Sequence, residues 1–305
     1  MHSKHEAILR QLVKFRDSKI SYLSEGSFGK VYDIDDKYIA KFAKPRADNR
    51  ITFNDIVTFG NLLKIIQKNV SFSIPTYDWI ARIEEEFFII YKKIIGELLN
   101  FSKLSDAQIR TFLQSFSQGL YELHHIDMDE FKQNGLKPTD LKKFFDINIK
   151  DLRFKLKDIA KKSNLNESVL NIAIEFVDRY AGTVKPANAQ TITHGDLNNA
   201  HIYIDSRTKK LSGLIDFDFV GIREPSADFC LLNKPLFESA YEFYPNKKLL
   251  GRNKSDAVIR QQVYHVLKIL WHLRDIDFVP EEYRETACLE FPKALEQALE
   301  YNGLI

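Results

Sequence analysis

The chain has 305 residues, 44% hydrophobic and 28% charged, a globular mixture long enough for a bilobed enzyme and unlike a disordered chain. A formal net charge of only +2 argues against nucleic acid as a partner, and two cysteines without close spacing, Cys230 and Cys288, give neither a disulfide framework nor a zinc motif. The charge is uneven: residues 1–50 hold eleven Lys/Arg against seven Asp/Glu, and residues 271–300 hold three against eight, which suits an anion at one end and a cation near the other, or two solvated helix faces.

The chain opens on MHSKHEAILRQLVKF, which mixes charge with apolar residues at helical spacing. It lacks the uninterrupted apolar stretch of a signal peptide, and no run approaches the roughly 18 apolar residues of a membrane span. The expectation is a cytoplasmic protein with no membrane partner. KISYLSE, KVYDI and KYIAKFA read as strands, punctuated by Gly26, Gly29 and the turn Asp35-Asp36. From Ile51 to Lys68 apolar residues recur at three and four, which predicts an amphipathic helix. TYDWIARI and EFFIIYKKI read as two more strands, with Glu84-Glu85 at the turn. Beyond Gly96 helical periodicity dominates, at about 104–125, 139–162 and 166–182. A strand-rich island follows at 191–217. Helices return from about 227 and again at 254–275 and 281–300.

Chemistry collects at three places. The first is Glu25-Gly26-Ser27-Phe28-Gly29-Lys30 between two strands, where glycines let backbone N–H groups approach phosphate oxygens. Alone it could be an ordinary glycine hairpin. Lys41 adds weight, because it lies in a strand expected to be buried on both sides and so needs an anionic partner. In kinases a third-strand lysine meets the α- and β-phosphates and pairs with a helix carboxylate. The acids between Lys44 and Val70 are Asp48, in a loop, and Asp55, so Asp55 is the candidate. An exposed helix aspartate is its other reading.

The second place is Thr193-His194-Gly195-Asp196-Leu197-Asn198-Asn199-Ala200-His201, and the third is Leu214-Ile215-Asp216-Phe217-Asp218. Phosphoryl transfer needs a base for the attacking hydroxyl and a metal ion to gather phosphate charge. Asp196 fits the first role and Asp216 the second. An HGDL motif, a metal-capable residue five positions after its Asp, and IDF fifteen further on form a specific pattern once a glycine loop and a strand lysine precede them.

With these motifs the chain resembles the aminoglycoside phosphotransferase family, small-molecule relatives of protein kinases, from the glycine loop to about Leu232. The resemblance implies an α+β, bilobed, protein-kinase-like fold. Its small N-terminal antiparallel β-sheet lobe with one helix would span 1–95 and bind the nucleotide. Its larger, mainly helical C-terminal lobe would span 96–305 and carry catalysis and substrate. Gly26, Ser27, Phe28, Gly29, Lys41 and Asp55 would serve the nucleotide, and Tyr91, Lys92, Lys93 and Ile94 would form the hinge that holds the purine. Asp196 would be catalytic, with His194 and the Asp228 of Glu224-Pro225-Ser226-Ala227-Asp228-Phe229 supporting the site. Asp216 and His201 would hold Mg²⁺ on the phosphates of ATP or GTP. His201 stands where many relatives have Asn, but the 2″-aminoglycoside and macrolide enzymes resemble this chain there. Asp218 replaces a usual Gly, and Phe219 stands where relatives often have Asp. A protein kinase is disfavoured, because Asn198 occupies the place of the lysine two residues after the catalytic Asp, and no Ala-Pro-Glu segment follows Asp216.

The expected activity is O-phosphorylation of an aminoglycoside by a monomer. Trp271, Asp275, Asp277, Glu281 and Glu282 are the candidates for holding that polycation, while first-turn acids also serve a helix dipole and Trp271 could be core. The rival acceptor is a macrolide in an apolar pocket of Phe237, Tyr241, Phe243 and Tyr244, or another small alcohol such as choline or a sugar. A nucleotide-binding pseudokinase is the rival of another class, suggested by Asp55, His201 and Asp218.

Overall fold

The computed structural model describes residues 4–25, 29–43, 53–83, 86–181, 190–278 and 281–305. They fall into two compact units, residues 1–96 with 212–215, and residues 97–211 with 216–305. A small β-sheet lobe and a larger helical lobe make this a protein-kinase-like architecture.

In the smaller unit, helix α1 (Lys4–Gln11) precedes strands β1 (Ile20–Glu25), β2 (Gly29–Ile34) and β3 (Tyr38–Ala43). Helix α2 (Phe53–Asn69), β4 (Tyr77–Ile83) and β5 (Glu86–Lys92) follow. The sheet order is β1-β2-β3-β5-β4, antiparallel throughout. Asp35 and Asp36 make the β2–β3 turn with φ of 56° each, the left-handed pair that a tight hairpin requires. Side chains alternate across β3 with period two. Ala40 and Phe42 face Tyr32, Phe88 and Ile90, and Ile8, Leu9 and Phe15 join that cluster. Ile39 faces the other way with Ile89, Tyr91 and Ile56 of α2. β3 is therefore the doubly covered central strand that its apolar run predicts. The spacing in the opening segment does form a helix, α1, so the sheet carries a helix beyond the one expected.

The larger unit begins with β6 (Glu97–Leu98), α3 (Asp106–His124), α4 (Met128–Gln133), α5 (Leu141–Ser163) and α6 (Glu167–Ala181). Short strands β7 (Thr191–Thr193), β8 (Ile202–Ile204) and β10 (Gly221–Arg223) of the island lie in it, while β9 (Leu211–Leu214) belongs from Ser212 onward to the smaller unit. Helices α7 (Lys234–Phe243), α8 (Lys247–Leu250), α9 (Lys254–Arg274) and α10 (Glu281–Tyr301) complete it. β7 pairs with β10 and β6 with β8, both antiparallel. The core joins Phe145 and Leu152 of α5, Ile174 and Val177 of α6, Leu267 and Leu270 of α9, and Leu295 and Leu299 of α10, all at most 1% exposed. α3 starts at a capping box in which Ser105 and Gln108 satisfy each other's backbone N–H groups. The helix expected from about 227 begins at Lys234, where Asn233 caps it. Pro225–Phe229 is a 3₁₀ turn instead, which turns Asp228 into the interior. No helix among the described residues is long and apolar enough to cross a membrane.

Candidate active site

The loop from β7 to β8 is fixed from below by Asp228, whose side chain is fully buried. Its carboxylate accepts the backbone N–H of His194 at 2.8 Å and of Gly195 at 2.9 Å. His124 of α3 adds its Nε2 at 3.1 Å, and the opposite nitrogen of that ring meets the Tyr244 hydroxyl at 2.9 Å. Burial works against the charge on Asp228, but these hydrogen bonds and the two histidines hold its carboxyl below the usual carboxylate range. Gly195 has φ of 82°, and a Cβ there would lie 2.2 Å from Arg223 Nη1 and 2.4 Å from the Phe219 carbonyl oxygen. Only glycine permits this turn, and the turn delivers Asp196 to the loop's open side.

Asp196 is tied at three points. Its N–H lies 3.3 Å from His194 Nδ1. Its carbonyl oxygen accepts from His201 Nδ1 at 2.8 Å. Its carboxylate is ion-paired with Lys268 of α9. A carbonyl oxygen can only accept, so Nδ1 of His201 carries a proton, and the neutral tautomer compatible with that contact is the one whose Nε2 keeps a lone pair. That Nε2 lies 3.4 Å from Asp216 Oδ2. The Asn198 amide lies beside the ring, 3.1 Å from Nδ1 and 3.4 Å from Nε2, so Nε2 is the nitrogen able to accept from it. Asp216 sits in the left-handed region, φ 64° and ψ 55°, a strained backbone for a non-glycine residue at a functional turn. Asp196 and His201 of one motif and Asp216 of another thus form one group. His194 is completely buried against Phe217, with ring centroids 4.4 Å apart.

In the smaller unit, Gly26, Ser27 and Phe28 lie outside the described residues, as does the side chain of Asp55 on α2. Gly29 opens β2, where a Cβ would stand 2.0 Å from the Phe42 carbonyl oxygen. Lys41 is half-buried on β3, in register with Val31 and Ile89. Tyr91 and Ile94 are buried and Lys92 is exposed. The Lys93 N–H donates to the Lys37 carbonyl at 2.8 Å, and its ammonium to Asp33 at 2.6 Å and to Asp36. Those carboxylates, by hydrogen bond first and charge second, raise the Lys93 pKa despite some burial. Lys93 is thereby committed to the β2–β3 turn.

The substrate candidates are placed less uniformly. Trp271 donates to Asn148 Oδ1 at 2.9 Å and meets Phe144 edge-on, packed against the core. Asp275 pairs with Arg274, and Asp277 with Lys162 at 2.5 Å. Glu281 and Glu282 open α10, their side chains outside the described residues. Phe237, Tyr241 and Tyr244 are buried, and Phe243 lines a groove of about 550 Å³ between α3 and α7 with Arg110 and Glu242.

Two contributors, His124 and Lys268, were not singled out in the sequence, because they lie on helices whose periodicity reads only as core or surface, while Tyr244 and Glu224 were named there for other reasons. No motif links Lys268 to Asp196, 72 residues away. Glu224 is wholly buried beside Arg260, with Oε2 lacking a hydrogen-bond partner among the described residues. Burial pushes its carboxyl up to about 7.

The model of the phosphotransferase enzyme family matches residues 19–241. No curated protein matches the chain. Among solved structures, it is similar to the GDP complex of wild-type aminoglycoside 2'-phosphotransferase-IIIa, with TM-score 0.71 and 19% identity over 99% of this chain and 100% of that one. It is similar to the GDP and kanamycin complex of APH(2″)-IIIa, with TM-score 0.72 and 17% identity over 98% and 100%. It is also similar to the macrolide 2'-phosphotransferase MphH of Brachybacterium faecium, with TM-score 0.63 and 16% identity over 95% and 97%. At such identities these three likenesses are of fold.

Proposed function

The chain belongs to the phosphotransferase enzyme family, and from that premise we propose that it transfers the γ-phosphoryl group of ATP or GTP to a hydroxyl of a small molecule, in the first place an aminoglycoside. The observation that carries this reading is that Asp196, His201 and Asp216 come together, with the Asp196 backbone carbonyl on one nitrogen of His201 and the Asp216 carboxylate 3.4 Å from the other.

In this reading the acceptor oxygen attacks the γ-phosphorus while the bond from that phosphorus to its bridging oxygen breaks. The bond electrons leave with the nucleoside diphosphate, and the hydroxyl proton passes to the Asp196 carboxylate. His201 Nε2 and the Asp216 carboxylate would hold a magnesium ion, the carboxylate as the hard oxygen donor that Mg²⁺ prefers and the imidazole as a softer one. When bound, that ion would neutralise phosphate charge. The Asp196 carbonyl keeps His201 in the tautomer that offers Nε2, a support typical of ligating histidines. Gly26, Ser27, Phe28, Gly29 and Lys41 would receive the phosphates, Asp55 would pair with Lys41, and the Tyr91–Ile94 backbone would receive the base. The GDP complexes among similar structures support a purine nucleotide as donor.

A second reading, a macrolide acceptor, is favoured by one feature. Asp275 and Asp277 already pair with Arg274 and Lys162, which leaves them less charge to offer a polycation. Transfer of labelled γ-phosphate from ATP and GTP to kanamycin, gentamicin and erythromycin, at low and high salt, separates the readings. Aminoglycoside binding by carboxylates weakens as salt rises, and apolar binding does not. Phosphorylation of erythromycin alone would reverse the order. Transfer to none of these, nor to choline or sugars, with nucleotide still bound, would favour a binding module.

A further inference from the structure

Among the described residues, the Asp196 carboxylate has one hydrogen-bonding partner, and it comes from another element. Lys268 of α9 reaches across 72 residues of sequence to Asp196 Oδ1. The Lys268 side chain is 12% exposed and that of Asp196 25% exposed, so the pair is neither sealed in the core nor a surface ion pair.

Lys268 stands on a fixed base. Leu267, Leu270 and Leu273, its neighbours on α9, are each 0% exposed in the core. One turn before it, His265 Nδ1 donates to the Cys230 carbonyl at 2.7 Å, which ties α9 to the segment just after Asp228. The loop bearing Asp196 and the helix bearing Lys268 are therefore both referred to the Asp228 region.

The loop has no cation of its own to do this work. From His194 to Ser206 it contains neither lysine nor arginine. Asn198, two residues after Asp196, accepts the Ala200 N–H at 2.9 Å and lies against His201. Arg223 faces the Gly195 carbonyl, 3.5 Å from Nη1.

We propose that Lys268 is a positioning residue for the transfer step, holding the Asp196 carboxylate in one orientation from α9 because the loop cannot do so itself. A short aspartate with an otherwise unanchored head would sample several rotamers, and small misplacements of a reacting group can cost large factors in rate. The proposal rests on Asp196 being the proton acceptor, and the experiment separates the two claims.

The test uses the full chain, Mg²⁺, ATP or GTP, and whichever acceptor is phosphorylated fastest. Lys268→Met should lower kcat by about ten- to a hundredfold, with nucleotide affinity and thermal midpoint close to wild type. Lys268→Arg, which retains the charge, should recover a substantial part of that loss. In an Asp196→Asn background, Lys268→Met should cost no further rate, because the two act as one unit. Lys268→Gln carries the same test should Lys268→Met not fold. Wild-type kcat in the neutral variants, with Asp196→Asn inactive, would overturn the positioning role and leave the base assignment standing. A further loss in the Asp196→Asn background would also overturn it, since Lys268 would then act without Asp196. Full activity of Asp196→Asn would instead remove the base assignment, and the proposal with it.

Discussion

Asp228 and His124 meet at 3.1 Å with neither side chain exposed to solvent. The contact links helix α3 to the loop before Asp196, because the same carboxylate holds the N–H groups of His194 and Gly195. Asp228→Ala should therefore leave the buried His124 imidazole, the buried His194 N–H and the half-buried Gly195 N–H short of a partner. Removing one member of such a buried network costs about 3–5 kcal/mol. Urea unfolding of the variant should show a loss of that order, larger than for substitution of an exposed carboxylate such as Asp129. A midpoint within error of wild type would mean that the network contributes nothing net.

Glu224 gives a pH prediction of defined sign. Its carboxyl is pushed up from an ordinary 4.5 to about 7 by burial, with Arg260 and the Ser226 hydrogen bonds opposing and Asp256 assisting. Between those values the folded chain holds a proton that the unfolded chain releases. This contribution to stability is fully present below about 4.5 and is lost as pH rises through 7. At roughly 1.4 kcal/mol per pH unit, the loss is about 3 kcal/mol. Glu224→Gln should remove that slope, so unfolding free energies of wild type and variant should diverge between pH 4.5 and 7. Parallel curves would contradict the assignment.

Much of this site was legible before any coordinates, and the reason is local. HGDL and IDF each place an aspartate beside a short apolar strand, so Asp196, His201 and Asp216 stand out as residue types at fixed spacing. The sheet was legible too, since β3 alternates with apolar residues on both faces. What escaped depends on distant contacts. Asp228 could be nominated by resemblance, but its partner His124 reads only as the end of an amphipathic helix, and Lys268 only as one polar position on α9. The helix expected from about 227 starts seven residues later, because Ala227–Phe229 completes the 3₁₀ turn Pro225–Phe229, in which Ser226 and Asp228 are buried. Trp271, a substrate candidate that could also be core, donates to Asn148, a contact that its position on α9 did not announce.

The proposed metal ligands differ in what they contribute. Asp216 supplies charge, so Asp216→Ala should abolish the Mg²⁺ dependence of nucleotide binding measured by calorimetry. His201 supplies a neutral lone pair, so His201→Asn should preserve much of that dependence through an oxygen donor that suits magnesium. Equal and complete loss in both variants would mean that the imidazole has a role which an amide cannot fill.

The most direct test of the account is γ-phosphoryl transfer by Asp196→Asn, measured beside its nucleotide affinity. The variant keeps the size and the backbone contacts of the residue but cannot take the hydroxyl proton. Turnover should fall by at least about a hundredfold, while ATP or GTP binds nearly as tightly as to wild type. Normal turnover by Asp196→Asn would contradict the account, because the group placed at its centre would then accept no proton.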